Sequence, residues 1–310
     1  MSEIVHYLRH AGSYERYDTD GPRARMPSNM SCRIRYQNAR WGFFGPEFVR
    51  DLRTNSLGFR DEEFDSEPGE EELRWMCLGD SFTFGIGVDL EETWPQLIES
   101  DLQDRLGRPV EVINAGFAAG SHYPPGYLPW LKSDGVLFSP SLLVLGICLN
   151  DLHKKIPTLA YPRPDPKPVL GGRSRLLHLV RTVLAERRQR GVKRNYGDVV
   201  RADPGPWQEV SASLLEMKQL LAEHNCEFVV AILPMLSQLD ESYPYRELHE
   251  LVAEFCGEND VRYVDLFEAV NGEVDRDLWV HRSDQHPNGR GHRLLADGLL
   301  ESLEQGGLIP

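Results

Sequence analysis

The sequence predicts an α/β protein built on a five-stranded parallel sheet with helices on both faces. Five short runs rich in Val, Ile and Leu stand at 75–79, 110–114, 142–148, 227–233 and 261–266. Longer stretches with helical periodicity separate them, at about 91–106, 124–133, 207–225, 245–257 and 289–304. Strands that alternate with helices make right-handed βαβ units and a parallel sheet. Strands of such a sheet are buried on both faces, so they read as continuous apolar runs. A third observation locates the site. Open parallel sheets bind ligands beyond the carboxyl ends of their strands, and Gly79-Asp80-Ser81 falls at such an end.

Taken in order, residues 1–70 differ from the rest. They are rich in Arg, Tyr, Asn and Gly, with few helical periods. Cys32-Arg33-Ile34-Arg35-Tyr36 alternates polar and apolar residues, which predicts a short strand. Asn55-Ser56-Leu57-Gly58 is a turn signal, and 62–72 is an acidic, solvated linker. The expected organisation is an N-terminal extension over 1–70, packed on a main domain over 71–310. That domain opens with the apolar run Trp75-Met76-Cys77-Leu78 and the Gly79 turn.

Between the third and fourth strands lies a long insertion, about 154–206, opened by the proline-rich stretch Tyr161 to Pro168. An amphipathic helix is expected from Ser174 to Arg190, with Leu176, Leu179, Val180 and Val183 on one face. Residues 173–194 hold eight Arg or Lys, so this helix is basic. A solvated charged face is the plain expectation. A lid over the site, meeting an acidic substrate, an acyl-carrier protein or a membrane surface, is the functional one, although the apolar stripe is modest and membrane attachment is not predicted.

Composition narrows the function. The chain has 310 residues, 41% hydrophobic and 26% charged, which is ordinary globular usage. A net charge of −14 argues against a nucleic-acid partner, because phosphate binding needs surplus Lys and Arg. The five cysteines Cys32, Cys77, Cys148, Cys226 and Cys256 form no CxxC pair and no metal-ligand spacing. They read as free thiols, several of them within apolar runs. The first residues show neither a basic n-region nor an apolar h-region, and no run approaches the roughly 18 apolar residues of a membrane span. A cytoplasmic protein without metal or organic cofactor is expected.

A serine after a strand commonly caps a helix. As a nucleophile, Ser81 needs a general base, and the base needs an orienting partner. His286 is the candidate base, in Asp284-Gln285-His286-Pro287-Asn288. Asp284, two residues earlier in what reads as a loop, can fix its tautomer. Asn288 or the following glycine starts the last helix. His122, His153, His281 and His292 have no such arrangement. Oxyanion donors can come from loops after the second and third strands, Asn114 to Gly120 and Cys148 to Asp151. The aromatics Phe82, Phe84, Phe117, Tyr123, Tyr127 and Trp130 could shape a pocket or fill the core.

These four blocks, in this order, resemble the SGNH hydrolases, also called the GDSL esterase/lipase family. Gly79-Asp80-Ser81 with Phe82-Thr83-Phe84-Gly85 is similar to the first block, Asn114 to Gly120 to the second, Asn150-Asp151 to the third, and Asp284 to Pro287 to the last. The resemblance covers about 74–304. It implies a flavodoxin-like three-layer α/β/α sandwich, Ser81 as nucleophile, His286 as base and Asp284 as its partner. It also implies oxyanion donors from the Ser81 N–H, a second-block glycine and Asn150. Three positions depart from the family pattern. The acid usually stands three residues before the histidine, where this chain has Ser283. The third block usually has Gly two residues before the Asn, where this chain has Cys148. The second-block glycine usually lies five residues after the Asn, at Ala119 here; a bulge would use Gly120, and Gly116 stays open.

The resemblance implies a serine esterase acting on a small-molecule carboxylic ester, acetyl or other acyl, including carbohydrate-linked ones. An O-acyltransferase using the same acyl-serine is the alternative, as is a non-catalytic carbohydrate-binding or scaffold protein. The sheet alone would also suit a flavin-binding module, but Ser81-Phe82-Thr83-Phe84 lacks the hydroxyl-rich and glycine-rich run of a phosphate loop.

Overall fold

The protein is described here by a computed structural model that covers residues 26–36, 48–117, 123–153, 196–281 and 284–309. The segment of the expected basic helix and the second-block residues Ala119 and Gly120 lie outside the described residues.

The chain begins with an antiparallel pair, β1 (Ser31–Tyr36) and β2 (Phe48–Arg53). The predicted turn follows: the Gly58 N–H donates to Asn55 O at 3.0 Å, and Gly58 has φ 87°. Then come β3 (Leu73–Gly79), the four-residue helix α1 (Ser81–Phe84), α2 (Trp94–Leu106) and β4 (Val110–Gly116). Next are α3 (Pro124–Ser133), β5 (Leu142–Cys148), α4 (Gly197–Ala202), α5 (Gly205–Glu223) and β6 (Glu227–Leu233). The chain closes with α6 (Arg246–Glu258), β7 (Arg262–Asp265), the hairpin β8 (Trp279–His281) and β9 (Asp284–Pro287), and α7 (Gly289–Gln305).

The five parallel strands lie in the order β4-β3-β5-β6-β7. Counted along the sheet's own strands this is 2-1-3-4-5, the flavodoxin-like order, whose switch point lies between the first and third strands. Here that is between β3 and β5. Helices α2 and α7 pack together, as do α3 and α5, giving the three-layer α/β/α sandwich. Every residue of β3 and β5 is buried. β7 is a short and largely exposed edge, unlike the buried strand its sequence predicts.

Three features tie the sheet to the site. First, β4 is the other edge strand, and side chains cap its outward N–H groups. Val112 N–H donates to Glu99 at 2.8 Å, Asn114 N–H to Asp61 at 2.8 Å, and Gly116 N–H to the Asn114 side chain at 3.1 Å. This protects the edge from pairing with another chain. Second, Gly116, Gly79 and Gly146 stand side by side across β4, β3 and β5. Helix α1 lies directly on them: a Cβ on Gly116 would sit 2.2 Å from the Phe84 nitrogen, and one on Gly79 2.2 Å from Thr83 Oγ1. Third, Phe59, Arg60 and Asp61, from the expected extension, are buried against the sheet domain.

Asp284–Pro287 is a strand paired with β8, where the sequence reads as a loop. Within the expected insertion, the described residues 196–206 hold α4 and the start of α5. Cys77, Cys148, Cys226 and Cys256 are buried free thiols. Among the described residues, no helix is long and apolar enough to cross a membrane.

Candidate active site

The carboxyl ends of β3 and β5 open the switch point, and α1 starts there. Asp80, not Ser81, caps this helix: its side chain accepts the Phe82 N–H at 2.9 Å. Ser81 is therefore the first helical residue. Its N–H is among the first-turn donors that have no acceptor within the helix. Gly85 closes the turn at φ 76°, in the left-handed region that favours glycine. The Ser81 carbonyl accepts the N–H groups of Gly85 and Ile86, at 3.1 and 3.3 Å. The serine is thus fixed by cap, turn and glycine floor together.

His286 comes from β9, and its Nε2 stands 2.7 Å from Ser81 Oγ. Its Nδ1 stands 2.5 Å from Asp284 Oδ1, which also accepts the His286 backbone N–H at 3.2 Å. The strand explains the two-residue spacing. Residues i and i+2 of a strand project to the same side, so Asp284 and His286 share a face while buried Gln285 points away. With Nδ1 facing a carboxylate, the proton sits on Nδ1. Nε2 is then free to accept from the Ser81 hydroxyl. The Phe82 ring packs on the imidazole, with centroids 5.4 Å apart. Asn288 caps α7 by accepting the Gly291 N–H at 3.0 Å, which anchors the end of β9.

Electrostatics prepare the histidine for proton transfer. Burial, the largest influence, disfavours the imidazolium. The charge and hydrogen bond of Asp284, helped by the Asp80 carboxylate, outweigh it and raise the pKa above the ordinary 6.5. Asp80 is itself pushed up to about 6, chiefly by burial; the Phe82 N–H and the charge of His286 pull it back. Asp151 is also raised well above the ordinary carboxylate range, by burial and then by Asp80. Asp80 directly follows β3 and Asp151 closes the 3₁₀ turn after the neighbouring β5, so two buried carboxyls stand at the carboxyl ends of adjacent strands. Sequence reasoning assigns neither of them a role. Their signal was available, because both sit inside the blocks read for their serine and asparagine.

Asn150 lies on the single 3₁₀ turn Leu149–Asp151 directly after β5, half-buried, with its Oδ1 unpartnered. Cys148, the departure from the third-block glycine, is fully buried, and its Sγ lies 3.5 Å from Met235 Sδ. Gly116 ends β4 with its N–H committed to Asn114. Ser283 lies outside the described residues. Of the candidate pocket aromatics, Phe84, Phe117, Tyr127 and Trp130 are core, with Phe117 stacked on Tyr127 at 5.2 Å. Phe82 is also buried but touches the histidine, and Tyr123 is half-buried at the start of α3.

His292 on α7 is fully buried, and its Nδ1 accepts the Trp94 N–H at 3.2 Å. Burial, then the nearby Arg60 and His286, lower its pKa to about 3, so it stays neutral and structural.

The sequence pattern of the GDSL-like Lipase/Acylhydrolase family matches residues 77–294. No curated protein sequence matches the chain. Among solved structures, TesA aligns with a TM-score of 0.49 at 14% identity, over 75% of this chain and 98% of its own. A catalytic mutant of an acetylxylan esterase from Geobacillus stearothermophilus aligns at 0.49 and 14%, over 76% of this chain and 95% of its own. A two-domain esterase active on acetylated mannans aligns at 0.46 and 13%, over 77% of this chain and 50% of its own.

Proposed function

The chain belongs to the GDSL-like lipase/acylhydrolase family, and on that premise we propose that it hydrolyses carboxylic esters through an acyl-enzyme on Ser81. The observation that carries this reading is the unbroken hydrogen-bonded chain from Ser81 Oγ to His286 at 2.7 Å and on to Asp284 at 2.5 Å.

In this mechanism Ser81 Oγ attacks the ester carbonyl while His286 Nε2 takes the hydroxyl proton. Asp284 holds the imidazole and stabilises the imidazolium. The tetrahedral oxyanion is bound by the Ser81 N–H, the Asn150 side-chain amide and a second-block glycine, with Gly120 our assignment. His286 returns the proton to the leaving alkoxide, the alcohol departs, and an acyl-serine remains. Water, deprotonated by His286, then releases the acid. The substrate is a small-molecule ester of an acetyl or other acyl group, carbohydrate-linked esters included.

The test is an ester panel running from acetyl to long acyl groups, with and without sugar alcohols, comparing the protein with Ser81→Ala. Ser81→Ala should lose turnover on every ester while keeping the wild-type melting temperature. Hydrolysis of an acetyl ester by Ser81→Ala at the wild-type rate would refute the assignment. New sugar esters in place of free acid would turn the reading to acyl transfer.

A further inference from the structure

Arg60 lies outside the family match, in the segment that precedes β3, yet it is buried to 3% exposure beside α1. Its guanidinium donates to three backbone carbonyls of the turn after that helix. Nη1 meets Phe84 O at 2.6 Å and also Gly85 O, and Nη2 meets Val88 O at 2.5 Å. The Phe84 ring lies under its Cζ at 5.2 Å. The Phe84 and Gly85 carbonyls close the C-terminal end of α1, where carbonyls lack helical partners and favour a cation, and Val88 O lies just beyond in the following loop. The same turn supplies the Gly85 and Ile86 N–H groups that hold the Ser81 carbonyl.

We propose that Arg60 is a positioning residue for Ser81: by clamping the Phe84, Gly85 and Val88 carbonyls it fixes the turn that holds the serine backbone opposite His286. The inference rests on the reading of Ser81 as nucleophile.

The geometry calls for a guanidinium. Its planar fork spans carbonyls of three different residues, whereas a lysine ammonium is a single point that cannot reach all of them. Gly85 leaves room for it: a Cβ there would sit 3.0 Å from Arg60 Nη1 and 2.5 Å from Thr93 Cγ2. Ser81 Oγ already lies at hydrogen-bond distance from His286. A loosened turn therefore lowers the reaction rate and leaves substrate binding, made elsewhere, in place.

The test compares wild type, Arg60→Lys and Arg60→Gln. One measurement is the second-order rate of fluorophosphonate labelling at Ser81, normalised to the folded fraction from near-ultraviolet circular dichroism. The other is kcat and KM on p-nitrophenyl acetate. Normalisation lets a destabilised variant still report. Both variants should label about 10- to 100-fold more slowly per folded molecule, since a displacement of about 1 Å costs that much. KM should stay within about twofold, as expected when only transition-state contacts are lost. Wild-type labelling rates per folded molecule, with or without a lowered melting temperature, would overturn the proposal and leave Arg60 a purely structural residue. A wild type that labels nowhere would overturn the nucleophile itself, and this inference with it.

Discussion

Replacing Gly116 by alanine should damage the site from below, by displacing α1. A Cβ at Gly116 would lie 2.2 Å from the Phe84 nitrogen, 2.6 Å from its Cα and 2.8 Å from the Thr83 carbonyl carbon. All three are backbone atoms of α1, so no side chain can swing aside. Ordinary contact begins at 3.4 Å, so α1 must lift by about 1.2 Å. The 2.7 Å contact between Ser81 and His286 would then stretch beyond hydrogen-bond range. A misplacement of about 1 Å costs on the order of a hundredfold in rate, or about 2.7 kcal/mol. Overpacking adds about 1–3 kcal/mol of lost stability, a fall in Tm of roughly 2–4 °C per kcal/mol. Gly126→Ala is the matched control. It makes the same chemical change inside α3, where a Cβ meets nothing within 4 Å. It should keep full activity and gain up to about 1 kcal/mol of helix stability. Initial rates on p-nitrophenyl acetate and thermal melts of both variants are the assay. Gly116→Ala with wild-type kcat/KM would refute the argument that α1 rests on the glycine row.

Two further predictions concern charge. In the proposed mechanism His286 must be neutral to accept the serine proton, and its pKa is raised, so the acid limb of kcat/KM should have its midpoint above 6.5. Asp284→Asn removes the charge that favours the imidazolium; the limb should move to lower pH while kcat falls by up to about 10⁴. A pH–rate profile checks both, and an unmoved limb would exclude Asp284 as the orienting acid. Glu111, on β4, is pushed up to about 8 by burial and then by Glu99, against an ordinary 4.5. The folded state therefore keeps a proton that the unfolded chain releases, and stability falls as pH rises from about 4.5 to 8. Glu111→Gln should raise Tm by a few degrees at pH 9 and leave it unchanged at pH 4, the roughly kcal/mol scale of one such group. Equal effects at both pH values would contradict this.

The sheet was legible because buried parallel strands have a strong signature. Leu142–Cys148 and Glu227–Leu233 match their predicted limits, as does α3. Ser81 and His286, which the fold brings within 2.7 Å, stand out as candidates because each block combines a turn with a reactive side chain. The β8–β9 hairpin was not, since Asp284-Gln285-His286-Pro287 is polar, short and ends in proline. Its strand character comes from pairing with β8, and it accounts for the Asp284 spacing. The glycine row was half visible: Gly146 interrupts an otherwise apolar strand, a sign of close backbone approach. That Gly79, Gly116 and Gly146 align across three strands depends on register, which local sequence does not encode. Arg60 and Asp61 read as polar residues of an appended segment. Their burial arises only when that segment folds against α1 and the β4 edge, contacts separated by more than twenty residues in sequence.

Intact-mass and peptide-mapping analysis after fluorophosphonate treatment tests the central claim most directly. The account predicts one adduct, on Ser81, formed far more slowly in His286→Ala. An unmodified protein, or an adduct on any other serine, would contradict it.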